Sequence, residues 1–423
     1  MKNDLMISGV SVWDLAKEYS TPLYIYDEGK ITSRMDEFVS SFKSDKFNTH
    51  VAYASKAFLC KAMAKLVNEK GLCIDVVSGG ELYTVLSAGF PAEKIYFHGN
   101  NKAPYELEYA MKSGVGVIVA DNMDEIADIA SMAKELGTVA RVMLRMNPGI
   151  SAHTHEYIMT SAPDSKFGMA LCEIGEIASA IAAAEGTGHF KFAGIHSHIG
   201  SQIFSKDAYV AQIQTMSKFI YELEVKYNLP VEEISLGGGF AAYYTHKDEP
   251  IPVDEVCNTI ISECEKQKEA LSLSFRTLSI EPGRSIAGEA GYTLYTVGYG
   301  KVSAGKKYVF VDGGMGDNIR PALYGAEYRC DVISKNGNGE TSVCTVAGKC
   351  CESGDVIING AEIPDAKKGD LILVYTTGAY GYSMSSNYNR LPRPAVVFVN
   401  GTQHRVVVKR ETWEDVASHD ITE

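Results

Sequence analysis

Several short apolar runs of the sequence end in residues that can do chemistry. Lys56 follows the run VAYA, His198 ends the run FAGIHSH, which leads into HSHIGSQ, Gly237–Gly239 follow ISL, and Glu281 opens the segment EPGRS. Where parallel strands share a barrel, residues of this kind gather at the carboxyl ends of the strands, which is where catalytic groups are found. The pattern indicates one site assembled from the ends of several strands.

Lys56 is the candidate nucleophile. A lysine at such a position is commonly a solvated surface charge, but here an apolar run precedes it and AFLCKAM opens a helix after it. An amine withdrawn from water has a lowered pKa and attacks carbonyl carbon. The sequence therefore predicts a lysine that can form a Schiff base.

His196 and His198 stand two residues apart, so both would lie on one face of a strand. That spacing is also found in metal-binding pairs, but no carboxylate or cysteine stands at ligand spacing in the sequence, so no metal is predicted. A ring packed flat against another planar ring explains His198 better. His153 and His155 pose the same question, and we predict that they lie in a loop.

Two glycine-containing segments predict a phosphate site. Gly238 and Gly239 belong to the glycine run, where backbone N–H groups can approach a phosphate closely, although three glycines can also form a simple flexible turn. Gly283 and Arg284 of EPGRS add N–H donors and a guanidinium. Neighbouring loops of this kind form the common phosphate site of barrel enzymes.

Three clusters further along the chain are suited to a substrate. Arg320 and Tyr324, in RPALY, match a carboxylate, which takes paired hydrogen bonds from a guanidinium and another from a hydroxyl. Cys351 and Glu352 lie in CCESGD, a polar segment with glycine of the kind in which reactive thiols are found. Tyr380, in GAYGYSM, is a candidate donor to phosphate or substrate.

The elements that would position these residues alternate from about residue 50 onwards. Short runs rich in valine and isoleucine are separated by amphipathic stretches such as 57–71 and 123–137, which end on glycine. Eight such units predict a (β/α)8 TIM barrel of the α/β class, with a doubly wound open sheet as the alternative. The apolar runs occupy residues 51–54, 73–77, 95–99, 117–121, 141–147, 192–198, 233–239 and 277–283.

The pattern of apolar and polar residues changes after residue 285. β-rich segments with glycine turns replace the alternating pattern, which is typical of an antiparallel β domain. We therefore predict a barrel over residues 26–285 and a C-terminal antiparallel β domain over residues 286–423. Residues 1–25 are expected to join the β domain, because TPLYIYD looks like a lone strand.

Composition limits the possible partners. Lys+Arg number 40 and Asp+Glu 53, a net charge of −13, which repels nucleic-acid phosphates and anionic lipid. No run approaches the roughly 20 apolar residues of a membrane helix, and the N-terminus lacks a signal-peptide pattern. The nine cysteines include no CxxC pair, which favours reduced thiols. We expect a cytoplasmic protein without nucleic-acid or membrane partners.

The order of these motifs resembles that of fold-type III decarboxylases dependent on pyridoxal 5′-phosphate (PLP). YASKA, HSHIGSQ, GGGF, EPGRS, RPALY, CESGD and GAY follow one another between residues 53 and 380, and FHGNNK, AHTHEY and SKFGM are also similar. Within that family the similarity is greatest to the branch that converts meso-2,6-diaminopimelate to L-lysine and CO2. The resemblance implies PLP as cofactor, an amino acid as substrate, and a homodimer with shared active sites.

The resemblance also implies a role for each candidate residue. Lys56 would carry PLP as a Schiff base, with His198 stacked on the pyridine ring and Glu281 facing the ring nitrogen. A carboxylate there favours the protonated ring and carbanion chemistry, whereas a racemase of the same fold has an arginine in that place. The other implied roles are phosphate binding by Gly238, Gly239, Gly283, Arg284 and Tyr380, carboxylate binding by Arg284, Arg320 and Tyr324, ammonium binding by Glu352, further substrate binding by Tyr380, and proton donation by Cys351 across a head-to-tail dimer interface.

Three alternatives remain open at this point. An ornithine- or arginine-type decarboxylase would share Lys56, the glycine loop, EPGR and a cysteine followed four residues later by aspartate, but a basic substrate tail needs acids rather than the guanidinium of RPALY. A carboxynorspermidine-type decarboxylase belongs to the same alternative. A non-catalytic PLP-binding protein would be a barrel without residues 286–423. A metal- or phosphate-dependent barrel enzyme without PLP would be colourless.

Overall fold

The computed structural model describes residues 4–150, 165–334 and 339–422. They form two compact units. The barrel unit contains Arg34–Ala241 and Pro250–Gly283, and the β unit contains the described residues up to Ser33, Ala242–Glu249 and those from Arg284 onwards. The segment AHTHEY, with His153 and His155, lies outside the described residues.

Eight parallel strands close on themselves in chain order in the barrel unit. The eighth strand pairs with the first, Thr277 lying opposite Asn48, so there is no open edge. Met169–Ala170 pairs in addition with the fifth strand. The predicted barrel is confirmed over the open sheet. Barrel strands 1 to 8 are Asn48–Ala54, Cys73–Val76, Ile95–Phe97, Val117–Ala120, Ala140–Asn147, Phe190–Ser197, Glu233–Ser235 and Thr277–Ile280.

An amphipathic helix follows each of the first seven barrel strands. Met123–Glu135 buries Ile126, Ile129, Ala130 and Ala133 on one side, as the spacing of its apolar residues dictates. Among the described residues, no helix is both long and apolar enough to cross a membrane. The seven helices are Lys61–Glu69, Gly79–Ser87, Pro104–Lys112, Met123–Glu135, Ile174–Glu185, Lys206–Tyr227 and Val253–Leu271, and Glu28–Ser41 precedes strand 1.

The first of these helices begins later than residue 57, where the sequence pattern suggested. Ser55–Ala57 forms a separate 3₁₀ turn, and Phe58 and Cys60 are extended before the helix begins at Lys61. The extended residues break the helical hydrogen-bond pattern, so Lys56 lies in a tight turn at the strand end and not in the helix itself.

The β unit is built on a nine-stranded sheet that is mostly antiparallel. Two of its pairings are parallel, namely Leu23–Asp27 with Ala395–Asn400 and Lys306–Val311 with Thr341–Ala347. Parallel neighbours need long connections, and both pairs are far apart in sequence. The strands are Leu23–Asp27, Gly291–Ser303, Lys306–Val311, Cys330–Ile333, Thr341–Ala347, Val356–Pro364, Leu371–Val374, Ala395–Asn400 and Gln403–Val408; Met6–Ile7 and Val10–Ser11 form a separate hairpin, and the helices are Val12–Tyr19, Arg284–Ala287, Arg320–Tyr324 and Trp413–Ala417.

The division of the chain differs from the expected boundaries of 26 and 285. Leu23–Asp27 lies inside the β sheet, between Gly291–Ser303 and Ala395–Asn400, and the chain joins the barrel unit only after Ser33. Ala242–Glu249 also belongs to the β unit, because Ala242 and Tyr244 are buried in its apolar core. A short excursion of this kind has no signature in local sequence periodicity.

Candidate active site

The barrel places four sequence-predicted groups at the carboxyl ends of its strands. Lys56 follows strand 1, His198 strand 6, the glycine run strand 7 and Glu281 strand 8. Backbone hydrogen bonds tie these ends together: the Glu281 N–H donates to the Gly237 carbonyl at 2.8 Å, and the Ala54 N–H donates to the Pro282 carbonyl at 3.1 Å. The strand register therefore fixes the backbone positions from which these side chains project.

Glu281 is the anionic centre of this end of the barrel. Its two carboxylate oxygens face His196 Nε2 at 3.0 Å and the Ser235 hydroxyl at 2.9 Å, and His98 Nε2 lies 3.3 Å away. Burial by itself would raise the pKa of Glu281, but the two facing imidazoles outweigh burial and hold it well below its usual range. Burial also lowers the pKa of His98 to about 4, so Glu281 is ionised beside a neutral His98 at neutral pH.

The same three residues have the spacing of a metal-ligand group. The ligand atoms of His98, His196 and Glu281 lie within 4.8 Å of one another. No carboxylate stands at ligand spacing from the histidines in the sequence, but the fold brings Glu281 from strand 8 to His196. Hydrogen bonding among the three groups, together with Ser235, accounts for their arrangement.

His198 is half-buried and its ring is fixed by the glycine run. Its Nδ1 accepts a hydrogen bond from the Gly238 N–H at 3.1 Å. Burial, followed by the positive charges of Lys56 and Arg145, holds the pKa of His198 well below its usual range. The ring is therefore neutral, and the accepting Nδ1 leaves its proton on Nε2.

Lys56 is exposed, so the withdrawal from water that the preceding apolar strand suggested is not observed. Its charge acts on two carboxylates of the barrel unit, Asp75 and Glu81. Burial, with Glu281 next, raises the pKa of Asp75 well above its usual range, and Lys56 opposes that shift. Burial also raises the pKa of Glu81, which accepts hydrogen bonds from the Ser55 hydroxyl at 2.9 Å and from a backbone N–H.

A buried chain of charges lies beside this centre. The Arg145 guanidinium stacks 4.4 Å from the Phe167 ring centre, and its Nε lies 4.0 Å from Asp121. The Asp121 N–H donates to Glu125, whose other oxygen pairs with Lys102 Nζ at 2.8 Å. Lys102 also donates to two backbone carbonyls, at 2.7 and 2.8 Å. The network fixes the loops that follow barrel strands 3 and 4.

Sequence reasoning did not select Asp75, His98 or Arg145. Each interrupts an apolar run, in CIDVV, IYFHG and RVMLRMN respectively. A polar or charged side chain within a strand that is apolar on both faces is costly unless it has a partner. Those interruptions were the available signal for these three residues.

No side chain fits at the glycines of the strand ends, because other atoms of the protein already lie where a Cβ would stand. A Cβ on Gly238 would lie 2.3 Å from the Glu281 carbonyl oxygen, one on Gly239 would lie 2.7 Å from a backbone carbonyl oxygen, and one on Gly283 would lie 2.7 Å from an alanine methyl group. Gly239 also has a φ of +95°, which favours glycine. Because the Gly238 N–H is directed to His198, Gly238 orients that ring and does not offer this N–H to a phosphate.

These features fit the cofactor that the sequence suggested. The site has an amine in Lys56, a neutral planar ring in His198, an ionised carboxylate in Glu281 and closely packed backbone turns at Gly239 and Gly283 that tolerate no Cβ. The aldehyde, the ring and the phosphate of PLP call for groups of these kinds.

The β unit gathers the arginines expected at the substrate. Arg284 Nη1 donates to the Tyr244 hydroxyl at 2.6 Å, and Arg320 Nη1 donates to the Tyr328 hydroxyl at 2.5 Å. The Arg284 guanidinium also lies 4.7 Å from the Tyr380 ring centre. The structure therefore brings together Arg284, Arg320 and Tyr380, and adds two phenols that the sequence did not single out.

The other predicted residues of the β unit are more accessible. Tyr324 is half-buried at the end of the helix that starts at Arg320. Cys351 and Glu352 are exposed, and the Cys351 N–H donates to the Asn389 side chain at 2.7 Å. Tyr380 has a φ of 62°, a left-handed conformation that is uncommon for residues other than glycine and is often found at functional sites.

Comparison with known proteins agrees with this picture. Residues 28–288 match the family model of the pyridoxal-binding domain of pyridoxal-dependent decarboxylases. The chain is 47% identical over 418 residues to diaminopimelate decarboxylase of Bacillus subtilis, with 99% of this chain and 95% of that protein covered.

Solved structures extend the similarity to the whole fold. Diaminopimelate decarboxylase from M. jannaschii in complex with L-lysine has a TM-score of 0.93 at 32% identity, covering 100% of this chain and 96% of that one. The enzyme from Helicobacter pylori complexed with L-lysine has a TM-score of 0.87 at 31% identity, covering 96% and 98%. PLP is thus the cofactor, and the chain belongs to the diaminopimelate decarboxylase family of pyridoxal-dependent decarboxylases.

Proposed function

We propose that this enzyme removes CO2 from meso-2,6-diaminopimelate and releases L-lysine. The observation that carries the choice of substrate is the pair of guanidiniums in the β unit, Arg284 and Arg320, which are only 8% and 5% exposed. A substrate that keeps a carboxylate at its far end pairs with such groups. Ornithine and arginine end in a cation, which two guanidiniums repel.

Lys56, His198 and Glu281 would hold the reactive part of the cofactor. Bound there, PLP supplies the electron sink for the electron pair that departing CO2 leaves behind. The ionised Glu281 would keep a proton on the pyridine nitrogen, and the uncharged His198 ring would lie against the pyridine without adding a competing charge. Gly239, Gly283, Arg284 and Tyr380 would bind the phosphate, with Gly238 orienting His198.

The β-unit residues would orient the substrate and complete the proton transfer. Arg284, Arg320 and Tyr324 hold the distal carboxylate, with Tyr380 beside them, and Glu352 holds the distal ammonium group. Cys351 then delivers a proton to the carbon that has lost its carboxylate, as a thiol close to that atom can do. The exposure of Cys351 in the single chain supports its acting across a dimer interface.

The same argument leads us to propose a homodimer with shared sites, acting in the cytoplasm. All nine cysteines are free, which suits a reducing compartment. In a head-to-tail dimer each site would combine Lys56 from one chain with Cys351 from the other.

The substrate assignment predicts a sharp preference. For CO2 release from purified holoenzyme, kcat/KM should be at least about a thousandfold higher with meso-diaminopimelate than with ornithine, arginine or carboxynorspermidine. A substrate without the distal carboxylate leaves the buried arginines of the site without their partner. Parallel assays of the four compounds measure this. Ornithine turnover within tenfold of diaminopimelate turnover would instead assign the chain to the basic amino-acid decarboxylases.

Shared sites predict complementation between two inactive variants. Random subunit exchange between Lys56→Ala and Cys351→Ala protein makes half of the dimers hybrid, and each hybrid contains one intact site, so about a quarter of wild-type activity should return. Mass spectrometry of the intact dimer verifies the exchange. Mixing Lys56→Ala with the Lys56→Ala/Cys351→Ala double variant is the control and should restore nothing. Verified exchange without recovery would mean that each site lies within one chain.

A further inference from the structure

Tyr244 contacts Arg284, and none of the roles proposed above explains that contact. It lies in Ala242–Glu249, the segment that leaves the barrel unit and joins the core of the β unit. The side chain is buried, with 6% exposure. Its hydroxyl oxygen accepts the hydrogen bond from Arg284 Nη1 at 2.6 Å.

The Tyr244 ring also contacts the second arginine. The Arg320 guanidinium lies 5.1 Å from the Tyr244 ring centre and 5.7 Å from that of Tyr328, and the two rings pack edge to face with centres 5.6 Å apart. Aromatic faces attract cations. The two phenols therefore hold a pair of buried like charges that would otherwise repel each other.

The charge on the arginines changes the phenol in turn. Burial by itself would raise the pKa of Tyr244, but Arg284 and Arg320 together outweigh burial and lower it. A more acidic phenol is a stronger hydrogen-bond donor to an anion. Because the Tyr244 oxygen already accepts from Arg284, its own proton is directed to another acceptor.

We propose that Tyr244 is a positioning and specificity residue: it fixes the guanidiniums of Arg284 and Arg320 in one arrangement and, with its own O–H, adds a further donor to the site that binds the distal carboxylate of the substrate. This proposal rests on the proposed function. Tyr328 supports the arrangement by accepting a hydrogen bond from Arg320.

Two ligands separate this role from a merely structural one. L-lysine carries a carboxylate next to one of its amines, and 1,5-diaminopentane is the same chain without the carboxylate. In calorimetric titrations of holoenzyme, Tyr244→Phe should weaken L-lysine binding by about 10- to 100-fold, the effect of losing a hydrogen bond to a charged group. Binding of 1,5-diaminopentane should change by less than about threefold. In turnover, KM for diaminopimelate should rise by the same factor while kcat changes little.

Tyr292→Phe is the matched control. Tyr292 is also 6% exposed and its hydroxyl also accepts from a cation, Lys30 Nζ at 2.6 Å, but it lies outside the arginine cluster. The Tyr292→Phe variant should bind L-lysine and 1,5-diaminopentane with wild-type affinity. If Tyr244→Phe proves unstable in thermal unfolding, Tyr328→Phe tests the same arrangement from the Arg320 side and should weaken L-lysine binding selectively.

The outcomes distinguish the two proposals. Wild-type protein that binds 1,5-diaminopentane as tightly as L-lysine would overturn the proposed function. The role of Tyr244 would be overturned if folded Tyr244→Phe kept the wild-type preference for L-lysine, or if its affinity for both ligands fell equally. Either result would leave the proposed function standing.

Discussion

Lys56→Ala should abolish decarboxylation and remove the visible-edge absorbance of the bound cofactor. Lys56 lies in the turn after barrel strand 1 and is the amine that we place at the cofactor aldehyde. Removing a covalent catalytic group leaves only the binding contributions of the rest of the site, so turnover should fall by roughly a thousandfold or more. Absorbance spectra before and after borohydride, with CO2 release measured on the same sample, test both parts.

A neighbouring lysine provides the control for this loss. Lys61, at the start of the next helix, is also exposed, and Lys61→Ala should keep the absorbance band, its bleaching by borohydride and full turnover. Lys56→Ala protein that retained both the band and wild-type activity would place the reactive amine elsewhere in the chain.

Glu281→Gln should lower kcat by about 100- to 1,000-fold while the protein stays folded and still binds cofactor. The carboxylate accepts hydrogen bonds from Ser235 and His196 and is held ionised by the facing imidazoles. An uncharged amide of the same shape cannot hold a proton on the pyridine nitrogen. Measuring kcat together with cofactor content separates lost chemistry from lost binding.

Glu233→Gln is the matched control for a buried carboxylate. Glu233 is the first residue of barrel strand 7, at the end opposite the carboxyl ends that form the site, and it accepts hydrogen bonds from Tyr96 at 2.7 Å and from Arg141 at 3.1 Å. Its hydrogen bonds and Arg141 overcome burial and lower its pKa to about 2. The change should lower the free energy of unfolding by roughly 1–3 kcal/mol without affecting kcat. If Glu281→Gln behaved in the same way, Glu281 would be a structural carboxylate.

The pKa of Glu233 also fixes the sign of its contribution to stability. A folded-state pKa below the unfolded value adds stability that is fully present above about pH 5 and is lost as the pH falls towards 2. Wild-type and Glu233→Gln protein should therefore converge in stability in acid.

Local sequence was enough to determine the architecture and most of the candidate chemistry. Apolar runs spaced for one helix each predicted the barrel, and residues that follow those runs, such as Lys56, His198 and Glu281, were found at the strand ends. These features depend on the period of side chains along a strand or helix and on which residues can follow it. Both are properties of neighbouring residues.

Tertiary structure alone decided which of these groups meet. Glu281 contacts His98 and His196 because barrel closure brings strands 3, 6 and 8 to one centre, and the glycine run orients His198 because strands 6 and 7 are neighbours. Tyr244 reaches Arg284 only because its segment leaves the barrel unit for the β unit. Convergence of this kind depends on strand register and on burial between residues far apart in sequence, and no local pattern encodes either.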